Sequence, residues 1–580
     1  MNRRNDVEAP VGVAVVASAA HQLDALNQRE RGTEADGSYW LYEYDSLGQV
    51  TSGKKYWSDG TPVAGQQFEY SFDDIGNRKQ TRTGGDQNGQ NLQTNNYTVT
   101  LLNQYTNRTV AGVVDVMGVA LVTNSVTVNS QTPYRRGEYF RKELGVANTS
   151  APVWEAVTVS SGGSNVTGNV FVPQTPEVFS HDADGNLTQD GRWTYTWDAE
   201  NRLVSMESDA AAPTASKFRL DFAYDVQGRR IQKIVSTNDG TGYVGEYTNR
   251  FVYDGWNLLA TLDPQSSLLA SFAWGEDLSG TMQGAGGVGG LLWMNDAANG
   301  STHFAAYDGN GNVVALVKAS DGIVSAQYEY GPFGEVLRAT GPMAKANPFR
   351  FSTKYQDDES DLLYYGYRYY NPSTGRWPNR DPIEEQGGMN LNEFVGNCPI
   401  TRIDQLGTCA CEPLSLAIIP VGWVAQDGAN SAGNYFEFHI AVTYDMKKPD
   451  SAKCCKLIQW MAGHLTLSGP NGDFIPYPST SQGVPLDGRW HIDTANYPKN
   501  GGGDDRCKST PSGDSYDRAT DFPGIPSPSP QWNGWRINYS MSIKVEIVDK
   551  CKPGCPVVKT SNQLDITISG TLPNQLKKTP

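Results

Sequence analysis

Hydrophobic and polar residues alternate in short runs along most of the chain. In one such run Phe218, Leu220, Phe222 and Tyr224 are separated by single residues. This period of two predicts β-strands with one buried face. The 61 Gly, 32 Pro and 29 Tyr favour strands and turns, and the 38% hydrophobic content is too high for a disordered chain. We therefore predict an all-β protein.

A seven-residue turn pattern recurs between these runs. It reads aromatic, Asp, two variable residues, Gly or Asn, a polar residue and usually an aliphatic one. The Asp can accept a hydrogen bond from the backbone two residues on, and Gly or Asn supplies the positive φ of a tight turn. Gly48, Gly76, Gly185 and Gly228 are such turn positions. The pattern begins at Tyr44, Phe72, His181, Trp197, Tyr224, Tyr253, Tyr307 and, in a degraded form, Tyr330.

Repeated hairpins of this kind predict a wound β-sheet over residues 23–345. One hairpin cannot bury its own apolar face, but a stacked series can. The rival interpretation, Tyr-Asp pairs scattered by chance in a Tyr-rich protein, does not explain the shared offsets. Pattern starts separated by 16, 27, 29 and 23 residues favour a wound sheet over a propeller. The first repeat, at Leu23, lacks its aromatic residue, so we expect the C-terminal part of a longer shell, preceded by an N-terminal segment, 1–22, that could be disordered.

The turn pattern is absent between residues 109 and 176. The valines between Val113 and Val159 give this stretch its own alternation. Two interpretations remain open: a small β-domain inserted into the shell, or shell strands whose turns have decayed.

Residues 346–407 carry a dense block of motifs. The block contains Leu362-Leu-Tyr-Tyr-Gly-Tyr-Arg-Tyr-Tyr-Asn-Pro372, Gly375-Arg-Trp377, Arg380-Asp-Pro-Ile383 and Gly387-Gly-Met-Asn-Leu391. It resembles the core-associated segment that closes the repeats of RHS/YD-repeat proteins. This resemblance implies a hollow shell, a core segment that plugs it, and a variable C-terminal domain that is carried as cargo.

The same resemblance implies self-cleavage by an aspartyl-type mechanism near Thr408. Arg380, Asp381 and Asp404 match the family's cleavage residues, and Glu393 is an alternative to Asp404. The family cuts just past an Asp-Pro-x-Gly-Leu sequence. Here Gln405 replaces the Pro and Thr408 replaces the Leu, which removes the apolar side chain that would seat the scissile bond.

Residues 408–580 form the predicted variable domain. This segment is neutral, with 16 basic and 16 acidic residues, so the preceding part carries the whole net charge of −16. We predict a small cysteine-rich antiparallel β-domain with strands near 435–444, 457–467, 535–548 and 564–568, and a long loop over 479–530. Its seven cysteines are disulfide candidates, and zinc is the rival, although no paired Cys-x-x-Cys is present. They are Cys409, Cys411, Cys454, Cys455, Cys507, Cys551 and Cys555.

Two functions from different classes fit this organisation. The first is a shell that carries a C-terminal effector in competition between bacteria, with an immunity protein as a partner. The second is a secreted or cell-surface structural protein whose C-terminal domain binds a ligand such as a carbohydrate. His491 is the best candidate base in that domain, but no nucleophile accompanies it at a telling distance.

The sequence suggests no cofactor and no metal site. The net charge argues against stable nucleic-acid binding by the shell, and no apolar run is long enough to span a membrane. Asp6 and Glu8 interrupt the signal-like start, so the sequence does not identify an export route. We expect a secreted or cell-surface protein.

Overall fold

The computed structural model describes residues 19–408, except 25 and 27, and beyond them a set of strands between 410 and 571 for which the backbone alone is described. In this described part the ordered elements are β-strands and short 3-10 turns, which confirms the all-β prediction. No helix among the described residues is long and apolar enough to cross a membrane. One compact unit ends at Cys411 and a second begins at Glu412.

The first sheet of the shell begins with eight strands that follow one another in sequence and in space. Each pairs antiparallel with the next, as expected for hairpins joined by tight turns. They are β1 (Ala19–Leu23), β2 (Arg29–Glu34), β3 (Tyr39–Tyr44), β4 (Val50–Tyr56), β5 (Pro62–Phe72), β6 (Arg78–Gly84), β7 (Leu92–Val99) and β8 (Tyr105–Arg108).

Residues 109–176 leave this sheet and return to it. They form two three-stranded sheets, with orders β11-β12-β9 and β10-β13-β14, around an apolar cluster that includes Val128 and Phe140. The chain then returns as β15, which pairs with β8 and completes the nine-stranded sheet. These strands are β9 (Val113–Val119), β10 (Val126–Val128), β11 (Tyr134–Arg136), β12 (Tyr139–Gly145), β13 (Val153–Ser161), β14 (Ser164–Val172) and β15 (Glu177–Val178).

The second sheet of the shell contains fourteen strands in strict sequence order. A 3-10 turn, Thr214–Ser216, interrupts the connection between its fourth and fifth strands. The strands are β16 (Ser180–His181), β17 (Leu187–Gln189), β18 (Trp193–Trp197), β19 (Leu203–Ser208), β20 (Phe218–Tyr224), β21 (Arg230–Asn238), β22 (Tyr243–Asp254), β23 (Asn257–Leu262), β24 (Leu268–Trp274), β25 (Leu291–Asp296), β26 (Ser301–Tyr307), β27 (Val313–Lys318), β28 (Val324–Tyr330) and β29 (Val336–Thr340).

The turns have the chemistry that the sequence predicts. At the first of them β3 ends at Tyr44 and β4 begins at Val50. The Asp45 carboxylate accepts hydrogen bonds from the backbone N–H groups of Leu47 and Gln49, each at 2.9 Å. Asp at this position closes the turn with its own side chain. The four predicted glycines all have positive φ, namely Gly48 (79°), Gly76 (85°), Gly185 (86°) and Gly228 (81°).

The aromatic residue of a turn also ties that turn to its predecessor. The Tyr224 hydroxyl donates to the carbonyl of Leu203, the first residue of β19, across 2.6 Å. An aromatic body that packs on the sheet while its polar tip finds a buried acceptor explains the preference for Tyr and Trp here. The same tether joins Trp197 to Leu187, Tyr253 to Arg230 and Tyr330 to Val313.

The core-associated segment packs against both sheets of the shell. Leu362 and Tyr369 belong to an aromatic cluster with strands β17 to β21, and Ile400 packs with Trp40 and Phe68 of the first sheet. A third cluster, around Tyr370, lies almost wholly within the segment. The segment's own elements are short: β30 (Tyr355–Gln356), β31 (Leu363–Tyr364), β32 (Tyr369–Tyr370), β33 (Ile403–Asp404) and 3-10 turns at Phe351–Thr353, Glu384–Gln386 and Val395–Asn397.

The first unit ends slightly beyond the charge step in the sequence, because β34 (Ala410–Cys411) pairs with β33. The second unit contains antiparallel strands at the four places predicted from the sequence. The long loop predicted for 479–530 was wrong in part, since two strands lie within it. The strands are β35 (Ala417–Asn430), β36 (Gly433–Asp445), β37 (Cys455–Ser468), β38 (Phe474–Pro476), β39 (Trp490–Asp493), β40 (Asp514–Asp521), β41 (Arg536–Asp549), β42 (Lys559–Thr560) and β43 (Leu564–Thr571).

The side chains of the seven disulfide candidates, Cys409 to Cys555, and of His491 lie outside the described residues.

Candidate self-cleavage site

The segment from Asp404 to Thr408 is a turn organised by one carboxylate. Asp404 lies at the end of β33 with 2% of its surface exposed. Its Oδ1 accepts hydrogen bonds from the backbone N–H groups of Leu406 (3.1 Å), Gly407 (2.6 Å) and Thr408 (3.2 Å). A short acidic side chain after a strand is suited to such local bonds. The bonds fix the conformation of the backbone in which the sequence predicts the cut.

The carbonyl groups of the same segment are bound by the core segment. The Gln405 carbonyl accepts a hydrogen bond from Lys354 Nζ at 2.6 Å, and the Leu406 carbonyl accepts one from the Tyr367 N–H at 2.9 Å. The Gly407 carbonyl accepts one from Arg368 Nε. Three successive carbonyls are thus held by three different donors, two of them cationic. Charge-assisted hydrogen bonds of this kind are stronger than neutral ones.

A glycine-rich loop of the shell covers one side of the turn. A Cβ atom at Gly286 would lie 2.1 Å from the Gln405 carbonyl oxygen, so only glycine permits this approach. The Gln405 side chain in turn donates to the carbonyl of Gly284. Leu406 lines a cavity of about 40 Å³ together with aromatic residues that include Trp256. Leu406, two positions before Thr408, is therefore the apolar side chain by which this turn meets the aromatic residues of the shell and core segment.

Arg368 brings the two predicted aspartates together. Its Nη2 lies 2.7 Å from Asp381 Oδ2 and 3.9 Å from Asp404 Oδ2. Its guanidinium also stacks over the Trp377 ring, 4.2 Å from the centroid, and is 2% exposed. Asp381 Oδ1 accepts the N–H of Ile383 at 3.0 Å. Both carboxylates and the Gly407 carbonyl therefore meet around one buried guanidinium.

Burial moves the pKa values of these groups towards neutral pH. It raises the pKa of Asp381 to about 6, against the opposing effect of Arg368. It also raises the pKa of Asp404, which Arg368 and the N–H groups of the turn oppose. Burial lowers the pKa of Lys354 to about 8. A pair of carboxyl groups in this state can supply one protonated acid and one ionised base, which hydrolysis of a peptide bond requires.

Arg368, and not its sequence neighbour Arg380, pairs with Asp381. Arg380 is half-buried and packs against the shell turn at Gly185, where an added Cβ would lie 2.4 Å from its Nε. Sequence reasoning missed Arg368. It is the single charged residue in the run from Leu362 to Pro372, and that isolation among aromatic residues was the available signal.

Glu393 lies apart from the pair. Its Oε1 accepts a hydrogen bond from Asn397 Nδ2 at 2.6 Å and contacts the shell turn at Gly76. Burial raises its pKa to about 7. Among the described contacts, none joins Glu393 to Asp381 or Asp404. Within residues 19–408, no group of His, Cys, Asp and Glu side chains converges in a way that could hold a metal ion.

Parts of the chain are similar in sequence to one known family and to several known proteins. Residues 165–387 match the family described as Teneurin YD-shell. The chain is 28% identical over 298 residues to the tRNA3(Ser)-specific nuclease WapA of Bacillus spizizenii, a match covering 50% of this chain and 11% of the relative. It is 28% identical over 305 residues to the toxin protein Tse5 of Pseudomonas aeruginosa, covering 47% and 22%. The chain thus spans a small fraction of the length of these relatives.

Among solved structures, the complex described as TcdB2-TccC3-Cdc42 matches 67% of this chain and 19% of the matched chain. The sequence identity is 19% and the TM-score 0.34.

Proposed function

Since this chain is an RHS/YD-repeat protein, we propose that its shell carries the C-terminal unit as an effector and separates from it by hydrolysing its own backbone near Thr408. One observation carries the self-cleavage: two buried carboxylates, Asp381 and Asp404, meet at Arg368. They lie beside a backbone turn in which three successive N–H groups and three successive carbonyls are hydrogen-bonded. A substrate fixed next to an acid–base pair needs little further ordering to react.

In this mechanism Asp381 and Asp404 divide the roles of base and acid. Their raised pKa values allow one carboxyl to be ionised while the other is protonated. Arg368 keeps the pair together and holds the turn. Glu393, which we considered as an alternative to Asp404, contacts the shell instead and has no part in the proposed reaction.

The effector role of the C-terminal unit rests on the relatives. Two of them are described as a tRNA nuclease and as a toxin protein. By analogy we propose that the unit after Thr408 is the cargo of the shell, acts against other bacteria after secretion, and is neutralised in the producing cell by an immunity protein.

The full-length chain, freshly produced and run on a denaturing gel, tests self-cleavage directly. We expect a large shell fragment and a smaller fragment that begins at or just after Thr408. Asp381→Asn should leave a single full-length band, because it removes one of the two titrating carboxyls. Asp190→Asn is the matched control: Asp190 is 7% exposed, as is Asp381, and its pKa is likewise raised to about 6, but it bonds to Tyr195 within the shell.

A wild-type chain that stays intact for days between pH 4 and pH 9 would contradict the proposal. So would cleavage that continues unchanged in Asp381→Asn.

A further inference from the structure

The turn from Asp404 to Thr408 contains several peptide bonds, and their environments differ. The Gln405–Leu406 bond has a cationic donor, Lys354, on its carbonyl. Its carbonyl carbon, however, lies against the backbone of Gly286, where a Cβ would come within 2.7 Å of that carbon. A water molecule cannot approach from that side without displacing the loop.

The Gly407–Thr408 bond has a different set of neighbours. Its carbonyl oxygen accepts a hydrogen bond from Arg368 Nε, and Gly407 packs against the backbone of the same residue, where an added Cβ would lie 3.1 Å from the Arg368 nitrogen. Its nitrogen, Thr408 N, lies 3.2 Å from Asp404 Oδ1. Asp381 is bound to the other arm of the same guanidinium at 2.7 Å. A cation on the oxygen, a carboxyl on the leaving nitrogen and a second carboxylate nearby are the three groups that amide hydrolysis needs.

We propose that the bond hydrolysed is Gly407–Thr408, and that Arg368 is a catalytic residue that binds the Gly407 carbonyl oxygen as negative charge develops on it. This inference rests on the proposed self-cleavage and specifies its bond and its third catalytic group. It places the cut one residue earlier than the family resemblance implies.

The reaction consumes one water molecule. The water oxygen bonds to the Gly407 carbonyl carbon and gives a proton to ionised Asp381, while the C=O π electrons move to the oxygen held by Arg368. The tetrahedral intermediate then breaks its bond to Thr408 N, which takes the electron pair and a proton from protonated Asp404. The products are a carboxyl group on Gly407 and an amino terminus at Thr408, and the two aspartates exchange protons with solvent to return to their starting states.

Burial of Arg368 suits this role. Its guanidinium is 2% exposed, so its interaction with a developing oxyanion is weakly screened by water. Because Asp381 and Trp377 hold its arms and face, little reorganisation accompanies the reaction. Lysine presents one ammonium in place of the fork, so it cannot bind the carbonyl and Asp381 in the same geometry.

The intact mass of the small fragment from the wild-type full-length chain tests the bond. We expect a fragment that begins at Thr408, heavier by one threonine residue than one that begins at Cys409. A fragment that begins at Cys409 would overturn the bond assignment while leaving self-cleavage in place. Absence of any fragment would overturn the proposed function itself.

Two substitutions in the full-length chain test Arg368. We expect Arg368→Gln to slow cleavage by about 10²–10³-fold, the usual loss when one oxyanion donor is removed, and Arg368→Lys to restore part of the rate. The control Arg350→Gln removes another buried arginine of the core segment, one that pairs with Asp358 away from the turn, and should cleave at the wild-type rate. Wild-type cleavage by a folded Arg368→Gln chain would overturn the role of Arg368. If that variant does not fold, cleavage by folded Arg368→Lys at the full wild-type rate would overturn it instead.

Discussion

Arg230 of β21 donates a hydrogen bond across 2.6 Å to Asp357 of the core segment, and each side chain is 1% exposed. Lys233 binds the other oxygen of Asp357 at 2.9 Å. The faces of several aromatic rings, including those of Phe251 and Tyr364, surround the Arg230 guanidinium within 6 Å. Asp357 thus binds two cations of the shell, and Glu359 of the same core segment also binds Lys233 at 2.9 Å. These buried ion pairs link the core segment to the shell.

Asp357→Asn should destabilise the first unit strongly, because Arg230 stays buried without its carboxylate partner, whereas Lys233 keeps its pair with Glu359. Removing one member of a buried ion pair typically costs about 3–5 kcal/mol, and we expect a loss of this size in the free energy of unfolding measured in urea. Asp221→Asn is the control, since its pair with Arg219 is half exposed and should contribute less than about 1 kcal/mol. Equal effects of the two substitutions would contradict the link.

Valine at the turn glycines should destabilise the shell by different amounts at different sites. A positive φ strains any β-branched residue, but a new Cβ at Gly76 would also lie 2.1 Å from Glu393 Oε1, and one at Gly185 would lie 2.4 Å from Arg380 Nε. At Gly228 the nearest atom, in Tyr367, would be 3.8 Å away. We expect the melting temperature to fall most for Gly76→Val and Gly185→Val, less for Gly48→Val and least for Gly228→Val.

Gly242→Val provides the baseline for that series. An added Cβ at Gly242 meets nothing within 4 Å, and its φ lies outside the left-handed region. Melting temperatures unchanged at all four turn glycines would mean that the turns tolerate other conformations.

The turns could be predicted from the sequence because each is closed within seven residues. Asp45 accepts hydrogen bonds from the N–H groups of Leu47 and Gln49, so its role can be predicted from the spacing of these residues alone. The ion-pair partner of Asp381 could not be predicted in this way. Arg380 adjoins Asp381 in sequence, whereas Arg368 reaches it through packing on Trp377 that no local pattern encodes. Long-range packing also decides the pairings inside residues 109–176, which the valine alternation left open.

The cysteines of the C-terminal unit should form at least two disulfides in protein made in an oxidising compartment. Each native bridge in a small domain contributes about 2–5 kcal/mol. Mass spectrometry after alkylation without reduction should then show no more than four of the eight cysteines modified, and reduction beforehand should expose all eight. Eight modified cysteines in the unreduced sample would rule the disulfides out.

Residues 409–580, produced inside bacterial cells without the shell, should arrest growth if the unit is an effector. Residues 1–408 are the control and should be harmless, since the proposed toxicity belongs to the cargo. The measurement is colony formation after induction, with and without a co-expressed immunity protein. A folded, oxidised and harmless C-terminal unit would instead favour a ligand-binding module on the cell surface.

The rate of self-cleavage should pass through a maximum as pH rises. Asp381 acts as the base only when ionised, and its pKa is raised to about 6 by burial, so the rate should increase with pH through about 6. Asp404 acts as the acid only when protonated, and burial raises its pKa also, so the rate should fall again at higher pH as Asp404 ionises. Uncleaved chain recovered unfolded and then refolded into buffers from pH 4 to pH 9 gives the profile on denaturing gels.

Glu393→Gln tests whether Glu393, the alternative to Asp404, takes part in the reaction that this pH profile reports. The pKa of Glu393 is raised to about 7 by burial, so it would also titrate in the window where the rate changes. Because Glu393 bonds to Asn397 and lies apart from the turn, we expect Glu393→Gln to keep the rise through pH 6 and Asp381→Asn to abolish cleavage at every pH. Loss of cleavage in a folded Glu393→Gln chain would instead give Glu393 the role of acid that we assign to Asp404.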